Sequence, residues 1–136
     1  MLRTTVLLAD GNSAVLDHVR AMLEKEKDYQ VIATISDGAV VVDEYLRLRS
    51  DVLILDISMG NLSGIDIARQ LRDSGANAKI VFLTVHADAD YVNATFGAGG
   101  SAYVVKSRLN LDLLPAIKAV LSNKLFVSPN LLYATG

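Results

Sequence analysis

The chain has 136 residues, of which 51% are apolar and 21% charged, and its formal net charge is −2. This length fits one domain with a buried core, and the absence of cysteine excludes disulfide scaffolds, thiolate zinc sites and cysteine nucleophiles. The sequence shows neither an apolar run of the roughly 18–20 residues that a membrane span needs nor a signal-peptide pattern, and its charge does not favour nucleic-acid binding. We therefore expect a cytoplasmic protein with no membrane partner; if it regulates genes, it reaches DNA only through a domain absent from this chain.

Five short β-rich runs alternate with stretches of helical periodicity. The first, third and fourth runs are continuously apolar, which is typical of strands buried on both faces of a parallel sheet. The alternation predicts an α/β protein with a doubly wound, flavodoxin-like (βα)5 fold: a five-stranded parallel sheet with helices on both faces. The predicted strands are residues 5–9, 31–35, 52–55, 80–84 and 102–105.

The stretches between the strands carry apolar residues at helical spacing. After the first strand these are Val15, Val19 and Leu23. Glycine-containing stop signals punctuate the chain between elements, as expected where helices and strands end. They lie at residues 36–38, 74–75 and 97–100.

The last helix contains a proline, which is tolerated in a first turn but not in a helix interior. We therefore expect Asp112 to be the N-cap of this helix, with Pro115 in its first turn. Asp112 and Lys118 are further expected to lie on a solvated face. Residues 1–123 are predicted to form the domain, and residues 124–136 a C-terminal tail or the start of a linker to the absent output domain.

Polar residues stand at the carboxyl ends of four predicted strands. Asp10, Asp56 and Thr84 come at the ends of the first, third and fourth strands, and Lys106 directly follows the fifth. Each has an ordinary structural interpretation, such as a helix cap for Asp10 or a solvated cation for Lys106. Because parallel strands end at one rim, where such sheets hold their functional crevice, we expect the four side chains to meet.

These residue types suit phosphoryl transfer, which depends on positioning and electrostatic stabilisation. An aspartate carboxylate can act as the nucleophile and form an acyl phosphate. Carboxylate and carbonyl oxygens bind Mg²⁺, and lysine and threonine can bind phosphate oxygens.

The ordered set of motifs resembles the receiver domains of two-component response regulators. It is similar above all to the NarL/FixJ-like (LuxR-type) branch, whose members are transcription factors with a C-terminal helix-turn-helix. The resemblance covers essentially the whole chain and rests on residues 6–10, 52–59, 62–65, 81–86 and 98–106.

The resemblance implies that Asp56 is the phosphoacceptor, receiving a phosphoryl group from a sensor histidine kinase. The reaction would depend on Mg²⁺ as cofactor. The side chains of Asp10 and Asp56 and the backbone carbonyl of Ser58 would be the metal ligands.

The resemblance also implies a switch. Thr84 and Lys106 would contact the phosphoryl group, and Tyr103 would be the aromatic residue whose burial follows the movement of Thr84. The output would be an altered surface for other domains or for a homodimer. Beyond its own phosphorylation and dephosphorylation, the domain is expected not to be an enzyme.

This chain departs from the family pattern close to the expected site. Gly11 replaces a second acid that commonly binds the metal, so Mg²⁺ binding is expected to be weak. Gly60 replaces a common proline after Met59 and leaves that loop less rigid. Gly11, Met59 and His86, which lies two residues beyond Thr84, are therefore treated as modulators of the site.

Many receivers have a proline after the lysine, where this chain has Ser107. The peptide bond at this position is often cis in receivers, although a non-proline cis bond costs about 3 kcal/mol. The resemblance therefore implies that the Lys106–Ser107 bond is cis.

Two other functions are compatible with parts of the sequence. The first is an atypical receiver that acts as a phosphorylation-independent interaction module, which Gly11 favours. The second is a small flavodoxin-like enzyme or nucleotide binder, but the glycine-rich phosphate-binding motifs are missing. A haloacid-type phosphatase would need an aspartate where Ser58 stands.

Overall fold

Strands and helices alternate along residues 3–129, the part of the chain that the computed structural model describes. Each predicted strand is confirmed, and the largest shift is the start of the second strand at Tyr29 rather than residue 31. The strands are β1 (Thr4–Ala9), β2 (Tyr29–Ile35), β3 (Val52–Asp56), β4 (Ser58–Met59), β5 (Leu62–Ser63), β6 (Ile80–Thr84), β7 (Ala102–Val105) and β8 (Phe126–Val127). The helices are α1 (Ser13–Glu24), α2 (Val41–Leu48), α3 (Gly64–Asp73), α4 (Ala89–Gly97) and α5 (Leu109–Leu121), with 3-10 turns at Gly38–Val40 and Lys106–Arg108.

Six strands form one parallel sheet in the order β2–β1–β3–β6–β7–β8, and β4 and β5 form a small separate antiparallel pair. The chain runs outward from β1 to β2 and then crosses to β3 on the other side, so the strand order reverses beside β1. Open α/β sheets bind ligands at the carboxyl ends of strands near such a reversal. The topology therefore places the carboxyl ends of β1, β3, β6 and β7 side by side.

One apolar core covers each face of the sheet. Leu53 and Leu55 of β3 pack into the core formed with α2, α3 and α4, whereas Val52 and Ile54 pack into the core formed with α1 and α5. Every residue of β3 and β6 is buried, which confirms the prediction of strands covered on both faces. Within residues 3–129, no helix combines the length and apolarity that crossing a membrane requires.

The sheet has a sixth strand that the sequence did not predict. Phe126 and Val127 pair in parallel with Ala102 and Tyr103, and the Ser128 N–H donates to the Tyr103 carbonyl at 2.9 Å. A run of two residues is too short to show a strand period, so its pairing partner decides its structure. The predicted doubly wound, flavodoxin-like fold is confirmed, but its parallel sheet has six strands rather than five. Part of the predicted tail at 124–136 belongs to this sheet, and residues 130–136 lie outside the described range.

The predicted start of the last helix was also wrong. Helix α5 begins at Leu109, directly after the 3-10 turn, and Pro115 lies in its interior. Proline there removes the hydrogen bond to the carbonyl four residues earlier, which is that of Leu111. Leu111 and Pro115 both lie on the exposed side of the helix, where water can reach that carbonyl. Asp112 is neither an N-cap nor solvated, because it is 4% exposed.

Helix α3 approaches the end of β3 closely at its first residue, Gly64. Its N–H donates to the Ile57 carbonyl at 2.6 Å, and a Cβ atom would collide with the carbonyl oxygen of Asp56. Alanine in place of a helical glycine ordinarily stabilises by roughly 0.5–1 kcal/mol, but overpacking costs about 1–3 kcal/mol. Gly64→Ala should therefore lower the free energy of unfolding in urea by about 0.5–2 kcal/mol, the overpacking cost less the helical gain. Gly97→Ala is the matched control, since a Cβ there meets nothing within 4 Å; equal stability of the two variants would contradict the close approach.

Candidate functional site

Two aspartates are buried where neighbouring strands end. Asp56 is the last residue of β3 and is 6% exposed, and its Oδ1 accepts a hydrogen bond from the Ser58 N–H at 3.2 Å. Asp10 directly follows β1 and is 2% exposed. Its N–H donates to the Ile35 carbonyl at 3.0 Å, and its Oδ1 accepts from the Asn12 N–H at 2.8 Å. The sheet and the adjoining turns therefore hold both carboxylates in place.

Lys106 joins the two carboxylates from the end of β7. Its Nζ lies 2.8 Å from Oδ2 of Asp10 and 3.4 Å from Oδ2 of Asp56. Oδ2 of Asp10 accepts no hydrogen bond of good geometry, so the nearby ammonium charge is what compensates it. Three of the four residues predicted to meet thus form one cluster, which holds two negative charges and one positive charge when all are ionised.

The cluster disfavours a second negative charge. Burial raises the pKa of Asp56 above its usual range, and the charge of Asp10 raises it further. The Lys106 ammonium and the Ser58 N–H act in the opposite direction but do not cancel these effects. An additional positive charge at this edge of the sheet would therefore be stabilising.

The residues present fit a partly hydrated Mg²⁺ ion. Asp10 and Asp56 supply two buried carboxylates with an incompletely compensated oxygen, and Ser58 begins the adjoining β4 strand. Residues 3–129 contain no group of three or more acidic, histidine or cysteine side chains able to hold a metal. A cation here would therefore complete its shell with backbone oxygens and waters, as Mg²⁺ commonly does.

An open groove lies beside the cluster at the position of the missing acid. A Cβ built on Gly11 meets nothing within 4 Å, and the groove has a volume of about 440 Å³. Met59 lines this groove but is itself 4% exposed and packs into the core. Asn12 does not substitute for the acid, because its side-chain oxygen caps α1 by accepting from the Ala14 N–H. The remaining lining residues are Ser36, Asp37, Gly38, Ala39, Gly60, Asn61 and Leu62.

Thr84 at the end of β6, His86 in the following loop and Tyr103 of β7 form a second cluster. The Thr84 hydroxyl accepts a hydrogen bond from the His86 N–H at 3.0 Å, and the Tyr103 hydroxyl donates to the His86 carbonyl at 2.8 Å. Thr84 and Tyr103 are both fully buried, and burial raises the pKa of Tyr103 to about 12. The His86 ring stacks on Tyr91 with centroids 4.2 Å apart. Thr84 follows Leu83, the β6 partner of Asp56, so the two clusters adjoin.

The predicted cis bond was wrong, because residues 3–129 contain no cis peptide. Lys106 begins a 3-10 turn and reaches both carboxylates from a trans bond. Without a proline at 107, the cost of about 3 kcal/mol for a cis bond has nothing to offset it.

Sequence reasoning missed a buried network close to Lys106. Arg108 donates from Nε to Oδ2 of Asp112 at 2.8 Å, and the Ser128 hydroxyl donates to the same oxygen at 2.8 Å. Asp112 and Ser128 are 4% and 1% exposed. The available signal was an acidic residue flanked by leucines in a largely apolar helix, where a buried charge needs partners.

The comparisons with known proteins agree with this geometry. Residues 6–118 match the family described as the response regulator receiver domain. The chain is 36% identical over 114 residues to the nitrate/nitrite response regulator protein NarP of Escherichia coli, covering 84% of this chain and 53% of NarP. It is 29% identical to the transcriptional regulatory protein DesR of Bacillus subtilis, covering 94% of this chain and 63% of DesR. The chain thus spans about half to two thirds of the length of these curated relatives.

Solved structures give the same result. A LuxR-family two-component response regulator from Aurantimonas superposes with a TM-score of 0.92 at 26% identity, over 97% of this chain and 94% of that chain. The isolated receiver domain of RcsB from Salmonella enterica serovar Typhimurium shares the fold, with a TM-score of 0.87 at 24% identity, over 97% and 98% of the two chains. The protein belongs to the response regulator receiver domain family and is similar to regulators of the NarL/LuxR type.

The raised pKa of Asp56 makes a prediction about stability. A pKa that folding raises favours the folded state below the unfolded pKa, and this contribution is lost as the pH rises through the folded pKa. At neutral pH the ionised Asp56 therefore costs stability, and Asp56→Asn should raise the free energy of unfolding by about 0.5–2 kcal/mol. The gain should shrink as the pH falls through the raised pKa, as measured by urea unfolding across a pH series.

The exposed Asp17 provides the control for this measurement, since Asp17→Asn makes the same chemical change away from the cluster. Its effect should stay within about 0.5 kcal/mol at every pH. A destabilising Asp56→Asn substitution at neutral pH would contradict the electrostatic description of the cluster.

Proposed function

We propose that this receiver domain accepts a phosphoryl group on Asp56 from a sensor histidine kinase, in a reaction that depends on Mg²⁺. The observation that carries the proposal is the buried cluster in which Lys106 lies between the Asp10 and Asp56 carboxylates. Phosphoryl transfer requires positioned charge more than covalent chemistry, and this cluster supplies it.

In the proposed reaction, a carboxylate oxygen of Asp56 attacks the phosphorus of a phosphohistidine. A P–O bond forms to Asp56, the P–N bond breaks, and its electron pair returns to the imidazole of the donor. The Lys106 ammonium then binds a phosphoryl oxygen. The Thr84 hydroxyl can donate to another, because its own proton is not used in the bond from the His86 N–H.

The proposed metal ligands are Asp10, Asp56 and the backbone carbonyl of Ser58. When bound, Mg²⁺ supplies positive charge that stabilises the transferred phosphoryl group. Asp10 keeps its orientation through the hydrogen bond from the Asn12 N–H to its Oδ1, and its Oδ2, which faces the Lys106 ammonium, accepts no hydrogen bond of good geometry and would be the oxygen offered to a cation. Gly11 contributes no charge, so the proposed binding is weak.

The proposed switch begins at Thr84. If the Thr84 hydroxyl turns to the phosphoryl group, it loses the hydrogen bond from the His86 N–H. His86 also accepts a hydrogen bond from the Tyr103 hydroxyl at its carbonyl, so a movement of His86 would affect Tyr103. The change would therefore reach α4 and the α4–β7–α5 face. A second proposed output is self-association through α1 and α5, which His18 and Asn110 already link by a 2.7 Å side-chain hydrogen bond.

For the whole protein, we propose transcription regulation through an output domain outside this chain, with DNA contacted only there. The support is the NarL/LuxR-type relationship and the relatives named as response regulators and transcriptional regulators. The proposal includes a cytoplasmic location, where the kinase would donate its phosphoryl group. It assigns no enzymatic activity beyond catalysis of the domain's own phosphorylation and dephosphorylation. A phosphorylation-independent interaction module is the second candidate, favoured by the missing acid at Gly11.

Incubation with acetyl phosphate and Mg²⁺, followed by intact-mass measurement, tests the proposed phosphorylation. The wild-type chain should gain the mass of one phosphoryl group, because the small donor needs only the cluster itself. Asp56→Asn should gain nothing, and Asp17→Asn should behave as wild type. Absence of labelling in the wild type, or equal labelling of Asp56→Asn, would favour the interaction module instead.

Gly11→Asp should strengthen Mg²⁺ binding on the order of tenfold, because the affinity for hard cations rises with the charge of the ligands. The space around Gly11 is open, so the new side chain meets no steric barrier. Isothermal titration calorimetry with Mg²⁺ would measure the change. Gly97→Asp adds the same charge at the exposed end of α4 and should leave the affinity unchanged; equal affinities in the two variants would argue against a metal site beside Gly11.

A further inference from the structure

The C-terminal segment is bonded to the strand that precedes Lys106. The Ser128 N–H donates to the Tyr103 carbonyl at 2.9 Å, and the Ser128 hydroxyl accepts from the Val105 N–H at 3.0 Å. Strand β8 ends at Val127, and Pro129 has no N–H with which to extend it. The hydroxyl of Ser128 therefore takes the place of a strand carbonyl and satisfies the last N–H of β7.

The same hydroxyl connects β7 to α5. It donates to Oδ2 of Asp112 at 2.8 Å, so one side chain bridges the end of the strand and the helix. Asp112 in turn accepts from both Nε and Nη2 of Arg108, at 2.8 and 3.3 Å. A buried carboxylate with this set of donors is held in one geometry, since both of its oxygens are used.

These hydrogen bonds fix both ends of the turn that carries Lys106. Val105 lies immediately before the turn and is bound by Ser128, and Arg108 is its last residue and is bound by Asp112. Within residues 3–129, neither Ser128 nor Asp112 forms a hydrogen bond with the two carboxylates of the site. Their influence on the cluster must therefore pass through the backbone of the turn.

We propose that Ser128 and Asp112 are positioning residues for Lys106, and that they make the C-terminal segment part of the framework of the phosphoryl-transfer site. The inference rests on the proposed function, in which Lys106 binds a phosphoryl oxygen. Displacement of a charged group by about 1 Å can slow a reaction by up to 10²-fold, and the flexible lysine stem compensates for part of it. By linkage, phosphorylation that shifts Lys106 also changes how firmly the C-terminal segment is bound.

Ser128→Ala tests the proposal because it removes the hydroxyl and adds no bulk. With acetyl phosphate and Mg²⁺, its phosphorylation rate should fall about three- to tenfold, the range expected when one hydrogen bond to a positioning group is lost. The side-chain ¹⁵N–¹H NMR signal of the Lys106 ammonium should also shift. That second measurement requires no phosphorylation, so it judges the positioning role even if the wild-type chain accepts no phosphoryl group and the proposed function fails.

Ser50→Ala is the matched control. Ser50 is also buried, at 4% exposure, and its hydroxyl donates to the Val52 carbonyl at 2.9 Å, at the amino-terminal end of β3. It should lower the melting temperature without changing the phosphorylation rate or the Lys106 signal. If the two variants change both readouts equally, or if Ser128→Ala changes neither, the proposal is overturned.

If Ser128→Ala does not fold, Asp112→Asn is a second variant that tests the same proposal. An amide oxygen at this position still accepts from the Ser128 hydroxyl, but the charge that binds Arg108 is gone. The same slowing and the same displacement of the Lys106 signal are expected. An unchanged Lys106 signal in a folded Asp112→Asn protein would show that the network only supports the fold.

Discussion

Two buried carboxylates share one ammonium group at the carboxyl edge of the sheet, and the surrounding structure is arranged to maintain this imbalance of charge. Removing charged side chains from water costs free energy, so a buried cluster of charges is stable only where the surrounding structure fixes its geometry. The enforcement comes from the sheet: Asp10 and Asp56 end adjacent strands, and Lys106 follows a third. Gly64 permits the close approach of α3 to Asp56, which a larger residue would prevent. The cluster is therefore a consequence of strand order as much as of residue type.

The cluster adjoins two hydrogen-bonded networks that lead to different parts of the surface. On one side, His86 bonds through its backbone to Thr84 of β6 and Tyr103 of β7, and its ring stacks on Tyr91 of α4. On the other, Ser128 and Asp112 connect the turn after β7 to the C-terminal strand and α5. A change of charge at one point can bias both networks if each has two arrangements close in free energy. In the proposed function, this layout would let one modification alter distant surfaces of a domain with a closely packed core.

At Gly11 the site of this receiver departs from the family pattern, in which a second acid commonly binds the metal. An open groove lies beside Gly11, where a third acid would stand, so the site offers a cation the two carboxylates of Asp10 and Asp56 rather than three. A cation bound there depends on water and backbone oxygens to complete its shell. The same groove is lined by the segments that follow β2 and β3.

The sequence alone determined the five principal strands. Three are continuous apolar runs, such as residues 52–55, which can be buried only between two layers of helices, and the other two are β-rich runs that alternate with helical stretches. It also determined the site, because polar residues at the ends of parallel strands must meet at one edge, and the structure confirmed that Asp10, Asp56 and Lys106 do. Tertiary structure decided what depends on distant partners. Strand β8 has only two residues and exists because β7 offers an edge, and Asp112 is buried because Arg108 and Ser128 satisfy its charge. Neither local propensity nor periodicity records such contacts, which arise only when segments far apart in the chain pack together.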